Sequence, residues 1–215
     1  SQCRALEAPL RVAYLGPHGT FSEAAVFQRF GQATEGVPAD TIDGVFSAVE
    51  NESANYGLVP VENSTEGAIG RTLDLLLSSN LKICGEVLLQ VHQCVLSNEN
   101  DLTMIRKIYS HPQSFGQCQE WLNAHLPHAE RITASSNADA ARMAAEESFA
   151  AAVAGAQAAE HFKLKVLAQN IEDDARNTTR FLVIGKQDVA ASGKDKTSLV
   201  MSAANRPGAV HDLLV

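Results

Sequence analysis

The sequence predicts an α/β fold with two lobes and a cleft between them. Strand-like and helix-like segments alternate along almost the whole of its 215 residues, a pattern typical of α/β proteins whose strands are mainly parallel. A strand that leads through a Pro-containing loop into a helix occurs twice, at 11–30 and at 107–126. Two similar units in separate halves of the chain indicate two lobes.

The first half of the chain contributes six predicted segments. Apolar residues share one helical face over 41–51, and Thr41 or Asp40 is placed to cap that helix. The segment 82–96 is long and rich in β-formers, and Gly85 interrupts it, so we read it as a strand that crosses between lobes. The predictions are a strand at 11–15, a helix at 20–30, a helix at 41–51, a strand at 56–63, a strand-to-helix junction at 66–79 and the long strand at 82–96.

The second half repeats the alternation and ends in strands. Its predicted elements are the strand-helix unit at 107–126, an Ala-rich helix at 137–148, a strand that passes into a helix at 149–162, and strands at 164–171 and 179–185. In α/β units, binding sites gather at the carboxyl ends of strands. We therefore expect loops 16–22, 62–67 and 111–114 to line the cleft.

The loop GPHGT at 16–20 suggests that the ligand is an anion. Gly16 and Gly19 let another group approach the backbone, and Thr20 or Ser22 is placed to cap the helix that follows. Bare amides at a helix start attract anions. The alternative is an ordinary tight turn between strand and helix.

Charge and composition argue against several other classes of protein. The formal net charge is −8 and no run of Lys or Arg is present, which argues against a nucleic-acid partner. No apolar stretch approaches membrane-spanning length, and no signal-peptide pattern opens the chain. The four cysteines are scattered without a CxxC pair, as in a cytoplasmic protein with reduced thiols. We expect neither a metal nor a cofactor.

Four segments in this order resemble the prephenate dehydratase family: YLGPHGTFSEAA, GLVPVENSTEGAIG, YSHPQSFGQC and NTTRFLVIG. The resemblance covers about residues 10–215. It implies a hydro-lyase that converts prephenate to phenylpyruvate, with loss of water and carbon dioxide, in L-phenylalanine biosynthesis. It also implies a two-lobed fold like a type II periplasmic binding protein, with the active site in the central cleft.

The resemblance divides the chain into a dehydratase domain at 10–190 and two flanking pieces. Lobe 1 is expected at about 10–88 and 167–190, and lobe 2 at about 89–166. Residues 1–9 look like the linker that follows a chorismate mutase segment in bifunctional relatives. Residues 195–215 resemble the start of an ACT regulatory module but lack its second effector motif, so L-phenylalanine is expected as an effector only where that module is complete. The family also implies a homodimer or larger homo-oligomer.

The resemblance implies three catalytic candidates, Thr179, Glu62 and His111. Thr179 would donate a hydrogen bond to the leaving hydroxyl, and a stronger acid would supply the proton. Glu62 suits that role if burial in the cleft raises its pKa, and His111 suits it because histidine titrates near neutral pH. Glu62 is otherwise a loop residue, and a His before Pro is otherwise a turn residue.

Seven further positions are candidates for holding the substrate. An Arg can bind a carboxylate through two parallel hydrogen bonds, although in a strand it can equally form a surface salt bridge. Phenylalanines can form apolar walls or belong to the core, and for Phe181 the core is favoured. The candidates are Arg180, Thr20, Ser22, Asn63, Ser64, Phe181 and Phe21.

Two other functions fit part of the pattern. An arogenate dehydratase would perform the same elimination on the amino analogue of prephenate. A non-catalytic two-lobed domain that binds a small anion would share the fold, because fold does not decide function. The absence of a signal-peptide pattern and of a DNA-binding segment argues against the binder.

Overall fold

Two β-sheets, each covered by helices, divide the chain into two lobes. The structure, a computed structural model, describes residues 9–199 together with Met201, Arg206 and His211. Most of the predicted tail at 1–9 and part of the predicted ACT segment at 195–215 therefore lie outside the described residues. In the part of the chain that is described, no helix combines the length and apolar character needed to cross a bilayer.

The first lobe is built on a sheet with strand order β2-β1-β3-β11-β5, and a short β4 pairs with β3. Helices α2 and α3 cover one face, and α1 covers the other. The elements are β1 Arg11–Leu15, α1 Phe21–Phe30, β2 Glu35–Ala39, α2 Ile42–Glu50, β3 Tyr56–Asn63, β4 Gly67–Ala68, α3 Gly70–Ser78, β5 Lys82–Gln90 and β11 Thr178–Gly185.

Local sequence explains where the first helices begin. Thr20 accepts a hydrogen bond from the Glu23 amide at the start of α1, and Thr41 accepts one from the Gly44 amide at the start of α2. Such side-chain caps satisfy amides that have no partner inside the helix. The predicted helix starts at these two positions are confirmed.

The second lobe is built on a sheet with strand order β10-β6-β9-β7-β8. Alanines allow close packing here, because every residue of the strand AAAVA is buried and the facing helix contributes Ala140, Ala141 and Ala144. The elements are β6 Cys94–Ser97, a 3₁₀ turn at Leu102–Met104, β7 Lys107–Ser110, α4 Pro112–Gln117, α5 Gln119–His125, β8 Glu130–Thr133, α6 Asn137–Glu146, β9 Ala150–Ala154, α7 Ala156–Phe162 and β10 Lys165–Gln169.

The strands are not mainly parallel as the alternation predicted; both sheets are mixed. β1 pairs in parallel with β2 and β3, and β7 with β8 and β9. β11 is antiparallel to both of its neighbours, and β6 is antiparallel to β9 and β10. The difference arises because strands that enter from the other lobe are not joined to their neighbours by a helical crossover, which is what makes strands parallel.

The chain crosses between the lobes at 91–93 and again at 170–177. The predicted long strand at 82–96 is therefore two strands in different sheets, β5 and β6. β10 belongs to the second sheet, so the chain returns to the first lobe after Gln169 and not near 167. The predicted two-lobed α/β fold is confirmed.

The lobes touch each other beside the cleft. The His18 ring of the first lobe stacks on His161 of the second, with ring centroids 5.4 Å apart. Gly19 has φ +81°, and a Cβ added there would lie 3.4 Å from the Ala158 Cα atom. A side chain at this position would therefore strain both the loop and the lobe contact.

Candidate active site

A cavity of about 170 Å³ lies between the lobes at the level of the two crossings. The first lobe contributes Phe21, Ser22, Asn63 and Thr179, and the crossings contribute Gln93 and Asn177. The second lobe contributes Gln113, Ser114, Gln117 and Asn137. None of the described residues that line the cavity carries a formal charge, so its polar groups are neutral amides and hydroxyls. Apolar lining comes from Phe21, Pro60, Val91 and Phe181.

Thr179 enters the cavity from the first residues of β11, where it is paired in register with Asn63 of β3. The Asn63 Nδ2 atom donates to Thr179 Oγ1 over 2.9 Å. In the described chain the Thr179 hydroxyl has no acceptor for its own hydrogen. The hydroxyl is therefore left to donate into the cavity.

Asn63 is held in one orientation by its own neighbour. Its Oδ1 atom accepts from the Thr65 amide at 2.9 Å and from the Thr65 hydroxyl at 2.6 Å. Nδ2 must then point the other way, where it reaches both Thr179 and Asn177 Oδ1, the latter at 3.2 Å. The Thr65 amide thus determines which atoms donate and which accept in the hydrogen bonds from Asn63 to Thr179 and Asn177.

A second hydrogen-bonded group lines the opposite wall. Asn137 Oδ1 accepts from the His111 amide at 3.1 Å, so its Nδ2 atom faces Ser114 and donates to Oγ over 2.8 Å. The Gln93 Nε2 atom donates to the same Ser114 oxygen at 3.2 Å and to Gln117 Oε1 at 3.4 Å. Both walls are therefore ordered by networks anchored on the backbone.

The start of α1 also faces the cavity. Phe21 and Ser22 line it, and in the described chain their backbone amides and the Ser22 hydroxyl make no hydrogen bond. Unpaired amides in the first turn of a helix are suited to binding a carboxylate. Phe181 is 2% exposed and belongs to the core, and it also forms part of the cavity wall.

Glu62 and Arg180 lie outside this cavity. Glu62 of β3 and Arg180 of β11 are paired in register. Glu62 precedes Asn63 and Arg180 follows Thr179, and Asn63 and Thr179 are the residues that face the cavity. Glu62 is exposed, so the burial on which its predicted role as an acid depends is absent. The Arg180 Nε atom donates to Glu86 Oε2 over 2.8 Å. Hydrogen bonds from Lys196 and Arg180 lower the pKa of the Glu86 carboxyl.

Three further predicted residues serve the local backbone. His111 caps α4, where its Nδ1 atom accepts from the Gln113 amide at 3.3 Å. The Thr20 hydroxyl donates to the Pro17 carbonyl at 3.0 Å. Ser64 Oγ accepts from the Thr178 amide at 2.9 Å. None of the three is among the residues that line the cavity.

Both glycine amides of the GPHGT loop are already occupied. The Gly16 amide donates to the Ala39 carbonyl, and the Gly19 amide donates to Glu23 Oε2 over 2.6 Å. Glu23 Oε1 accepts from the Tyr14 hydroxyl at 2.9 Å and lies 2.7 Å from His18 Nδ1. Burial raises the pKa of Glu23, but these hydrogen bonds outweigh it and leave that pKa below its ordinary value. The carboxylate that binds this loop is therefore the protein's own.

The sequence interpretation did not single out Gln93, Asn137 or Asn177. Asn177 lies in the quoted segment NTTRFLVIG, and Gln93 is a buried amide within an otherwise β-rich, apolar stretch. A buried amide signals a polar site because it needs partners. Over the described part of the chain, no three His, Cys, Asp or Glu residues are grouped so as to hold a metal.

The fold and the cavity together define a two-lobed α/β domain with a polar cavity between its lobes. A sequence model of the family described as prephenate dehydratase matches residues 12–189. The chain belongs to the prephenate dehydratase family.

Curated relatives align with nearly the whole of this sequence. A bifunctional chorismate mutase/prephenate dehydratase of Stutzerimonas stutzeri is 52% identical over 216 residues, covering 100% of this chain and 59% of the relative. A prephenate dehydratase of Amycolatopsis methanolica is 41% identical and covers 95% of this chain and 68% of the relative. The chain spans about 60% of the length of the bifunctional relatives.

A solved structure described as prephenate dehydratase in complex with L-Phe, from Arthrobacter aurescens, superposes with a TM-score of 0.82. It is 29% identical and covers 95% of this chain and 71% of that one.

Proposed function

We propose that this chain converts prephenate to phenylpyruvate. Family membership and the names of its relatives support the reaction class. The observation that carries the proposal to particular atoms is the Thr179 hydroxyl, which accepts from Asn63 and keeps its own hydrogen for the cavity.

The reaction needs little more than binding and a proton. The bond between the ring and its carboxylate breaks, and the electron pair enters the ring as carbon dioxide leaves. The ring C–O bond breaks, and the departing oxygen takes one proton and leaves as water. The ring becomes aromatic, so the protein has only to hold the dianion and stabilise the leaving oxygen.

Thr179 is proposed to hydrogen-bond the leaving oxygen. The Asn63 Nδ2 bond at 2.9 Å polarises the hydroxyl and directs its hydrogen away from Asn63. Negative charge develops on the departing oxygen, so this bond strengthens in the transition state. Because the described cavity lining contains no acid, the consumed proton comes from solvent through this hydroxyl.

The substrate carboxylates are proposed to bind neutral donors. The amides of Phe21 and Ser22 at the start of α1 offer one anion site. Apolar contact with Phe21 and Phe181 would desolvate a departing carboxylate, which favours its loss.

The family membership also supports a wider setting for this activity. We place it in L-phenylalanine biosynthesis, in the cytoplasm and in a homo-oligomer. The Arthrobacter aurescens structure is a complex with L-Phe, which supports L-phenylalanine as an effector of a protein that carries the complete regulatory module.

The test follows phenylpyruvate formation from prephenate by the unaltered chain, Thr179→Ala and Thr178→Ala. Thr178 is the matched control, because its hydroxyl donates to the Arg176 carbonyl and it does not line the cavity. We expect Thr179→Ala to lower kcat by about 10²-fold or more, as for loss of a proton-donating group. Thr178→Ala is expected to retain most of the rate.

The folded state of each variant is checked by its thermal unfolding curve. Equal losses in both folded variants would remove Thr179 from its proposed role. An unaltered chain that binds prephenate without forming phenylpyruvate would favour the binding-domain alternative.

A further inference from the structure

Two buried amide side chains mark the crossings between the lobes. Gln93 lies on the first crossing and Asn177 on the second, and the two residues are 1% and 2% exposed. The crossings are joined by backbone hydrogen bonds from Val91 to Asn177, at 2.8 Å, and from Ile171 to Gln93, at 3.0 Å. Both amides therefore belong to two segments that are hydrogen-bonded to each other at the base of the cavity.

Each amide has one polar atom without a partner. Gln93 Oε1 and Asn177 Nδ2 are both buried and unbonded in the described chain. An unsatisfied buried group typically costs about 1–3 kcal/mol, and native proteins rarely leave one without a reason. Since both residues line the same cavity, a bound molecule is the natural partner for these atoms.

The structure defines which atom of each amide is free. The Thr65 amide fixes Asn63, and Asn63 Nδ2 then requires the oxygen of Asn177, so the free atom of Asn177 is its nitrogen. On the other wall, Gln93 directs its nitrogen to Ser114 and Gln117, so its free atom is the oxygen. The cavity thus offers one free donor and one free acceptor at its base.

We propose that Gln93 Oε1 accepts a hydrogen bond from the ring hydroxyl of the substrate and that Asn177 Nδ2 donates a hydrogen bond to one of its carboxylates. This inference rests on the proposed function. The prephenate dianion has several hydrogen-bond acceptors, namely two carboxylates and a ketone, but its ring hydroxyl is its one strong donor. An acceptor-only atom such as Gln93 Oε1 can pair with that hydroxyl alone.

In this proposal Gln93, Thr179 and Asn177 each make a different hydrogen bond to the substrate. Gln93 accepts a hydrogen bond from the ring hydroxyl, so the lone pairs of that hydroxyl face a donor. Thr179 is the free hydroxyl donor. Asn177 is tied to Thr179 through Asn63, so carboxylate binding and the leaving oxygen are held by one connected group. Gln93 and Asn177 are thus substrate contacts, and Asn63 is a positioning residue.

The experiment compares ligands with and without the ring hydroxyl. Gln93→Met removes the acceptor at similar size and also the bonds from its nitrogen to Ser114 and Gln117, a loss that phenylpyruvate binding reports separately. Gln90→Met is the control because exposed Gln90 also bonds a crossing, through the Ala175 carbonyl. Dissociation constants of prephenate and of phenylpyruvate, which lacks the hydroxyl, are measured by calorimetry in a Thr179→Ala background. We expect Gln93→Met to weaken prephenate by about five- to tenfold more than phenylpyruvate, the effect of one hydrogen bond.

The Asn177 contact has its own variants, which also serve if Gln93→Met fails to fold. Asn177→Asp keeps the oxygen that Asn63 needs and replaces the free donor with a negative charge. We expect it to weaken prephenate by about tenfold or more, whereas Asn55→Asp adds the same charge at an exposed site and changes little. Asn177→Ser retains a donor and is expected to recover part of the affinity.

Each contrary result has a definite meaning. If the unaltered chain forms no phenylpyruvate, the proposed function fails and this inference fails with it. If turnover is normal but Gln93→Met weakens both ligands equally or neither, the hydroxyl pairing alone is overturned. If Gln93→Met weakens arogenate and not prephenate, Oε1 serves an amino group, and the hydroxyl assignment is wrong.

Discussion

At the scale of the residue, strand alternation decides which members of a motif can act together. Asn63 and Thr179 face the cavity, while their neighbours Glu62 and Arg180 point to the other side of the sheet. Successive residues of a strand face opposite ways, which separates Arg180 from Thr179 and Phe181 on β11. On β3 the register shifts between Pro60 and Glu62, so that Asn63, three residues after Pro60, lines the cavity with it. The motif as a whole predicts the site, and alternation together with this shift selects half of it.

The direction of the hydrogen bonds at Asn63 leads to a testable prediction. Asn63→Asp keeps the oxygen that accepts from Thr65 but replaces the donor to Thr179 with an acceptor. The Thr179 hydrogen would then turn towards the new carboxylate and away from the substrate. We expect kcat to fall by about 10²-fold, measured as phenylpyruvate formation at saturating prephenate.

Asn55→Asp is the control, because Asn55 Oδ1 accepts from the Arg11 amide at an exposed site. A fall in kcat of similar size in Asn55→Asp would assign the effect to added charge. An Asn63→Asp variant with normal kcat would contradict the polarity argument.

At the scale of the element, exposure explains which strands the sequence revealed. The strands Tyr56–Asn63 and Thr178–Gly185 are mostly buried and were predicted from their apolar runs. β2 and β8 are edge strands with mostly exposed or half-exposed residues, and they were not predicted. β5 and β10 are edge strands too and were predicted, because their sequences are rich in β-formers. Edge position with weak β-propensity, and not exposure alone, hides a strand from the sequence.

The loop that opens α1 makes a prediction about pH. The Glu23 pKa is lowered in the folded protein, because hydrogen bonds from His18, Gly19 and Tyr14 outweigh the effect of burial. Its ionised form therefore stabilises the fold above the unfolded pKa of about 4.3, and this contribution is lost as pH falls through the folded pKa. We expect Glu23→Gln to lower the free energy of unfolding at pH 7 by about 1–3 kcal/mol.

The measurement is urea unfolding at several pH values for the unaltered chain, Glu23→Gln and Glu66→Gln. Glu66 is exposed and makes no hydrogen bond through its side chain in the described chain. The difference between Glu23→Gln and the unaltered chain is expected to shrink towards acid pH. A difference that stays constant with pH would show that packing, not charge, stabilises this loop.

At the scale of the whole molecule, the chain and its proposed substrate both carry a net negative charge. The chain has a formal net charge of −8, and the described cavity lining has no cation to offset it. Salt screens such repulsion, since the Debye length shortens from about 30 Å at 0.01 M to about 8 Å at 0.15 M. Neutral donors therefore have to bind the dianion against an unfavourable electrostatic potential.

We accordingly expect kcat/KM for prephenate to rise with ionic strength, by up to about tenfold between 0.01 and 0.15 M salt. The control is thermal stability over the same range, which separates a change in the fold from a change in binding. A kcat/KM that falls with salt would mean that a cationic site outside the described cavity lining attracts the substrate.

The sequence by itself determined the alternation of elements, the two lobes and the segments that supply the site. Each of these depends on local patterns, such as apolar periodicity and helix caps, and on motifs read in order. Thr179, Asn63, Ser22 and Phe21 could be named in this way, and the cavity contains all four.

Tertiary structure alone decided which side chains meet and which atoms stay free. Asn63 bonds partners 114 and 116 residues away, and no local pattern specifies such a contact. The mixed strand directions, the outward turn of Glu62 and Arg180, and the unpaired atoms of Gln93 and Asn177 all follow from how the two crossings bring the lobes together. The physical reason is that a cleft between lobes is formed by segments distant in sequence, and its chemistry depends on their mutual orientation.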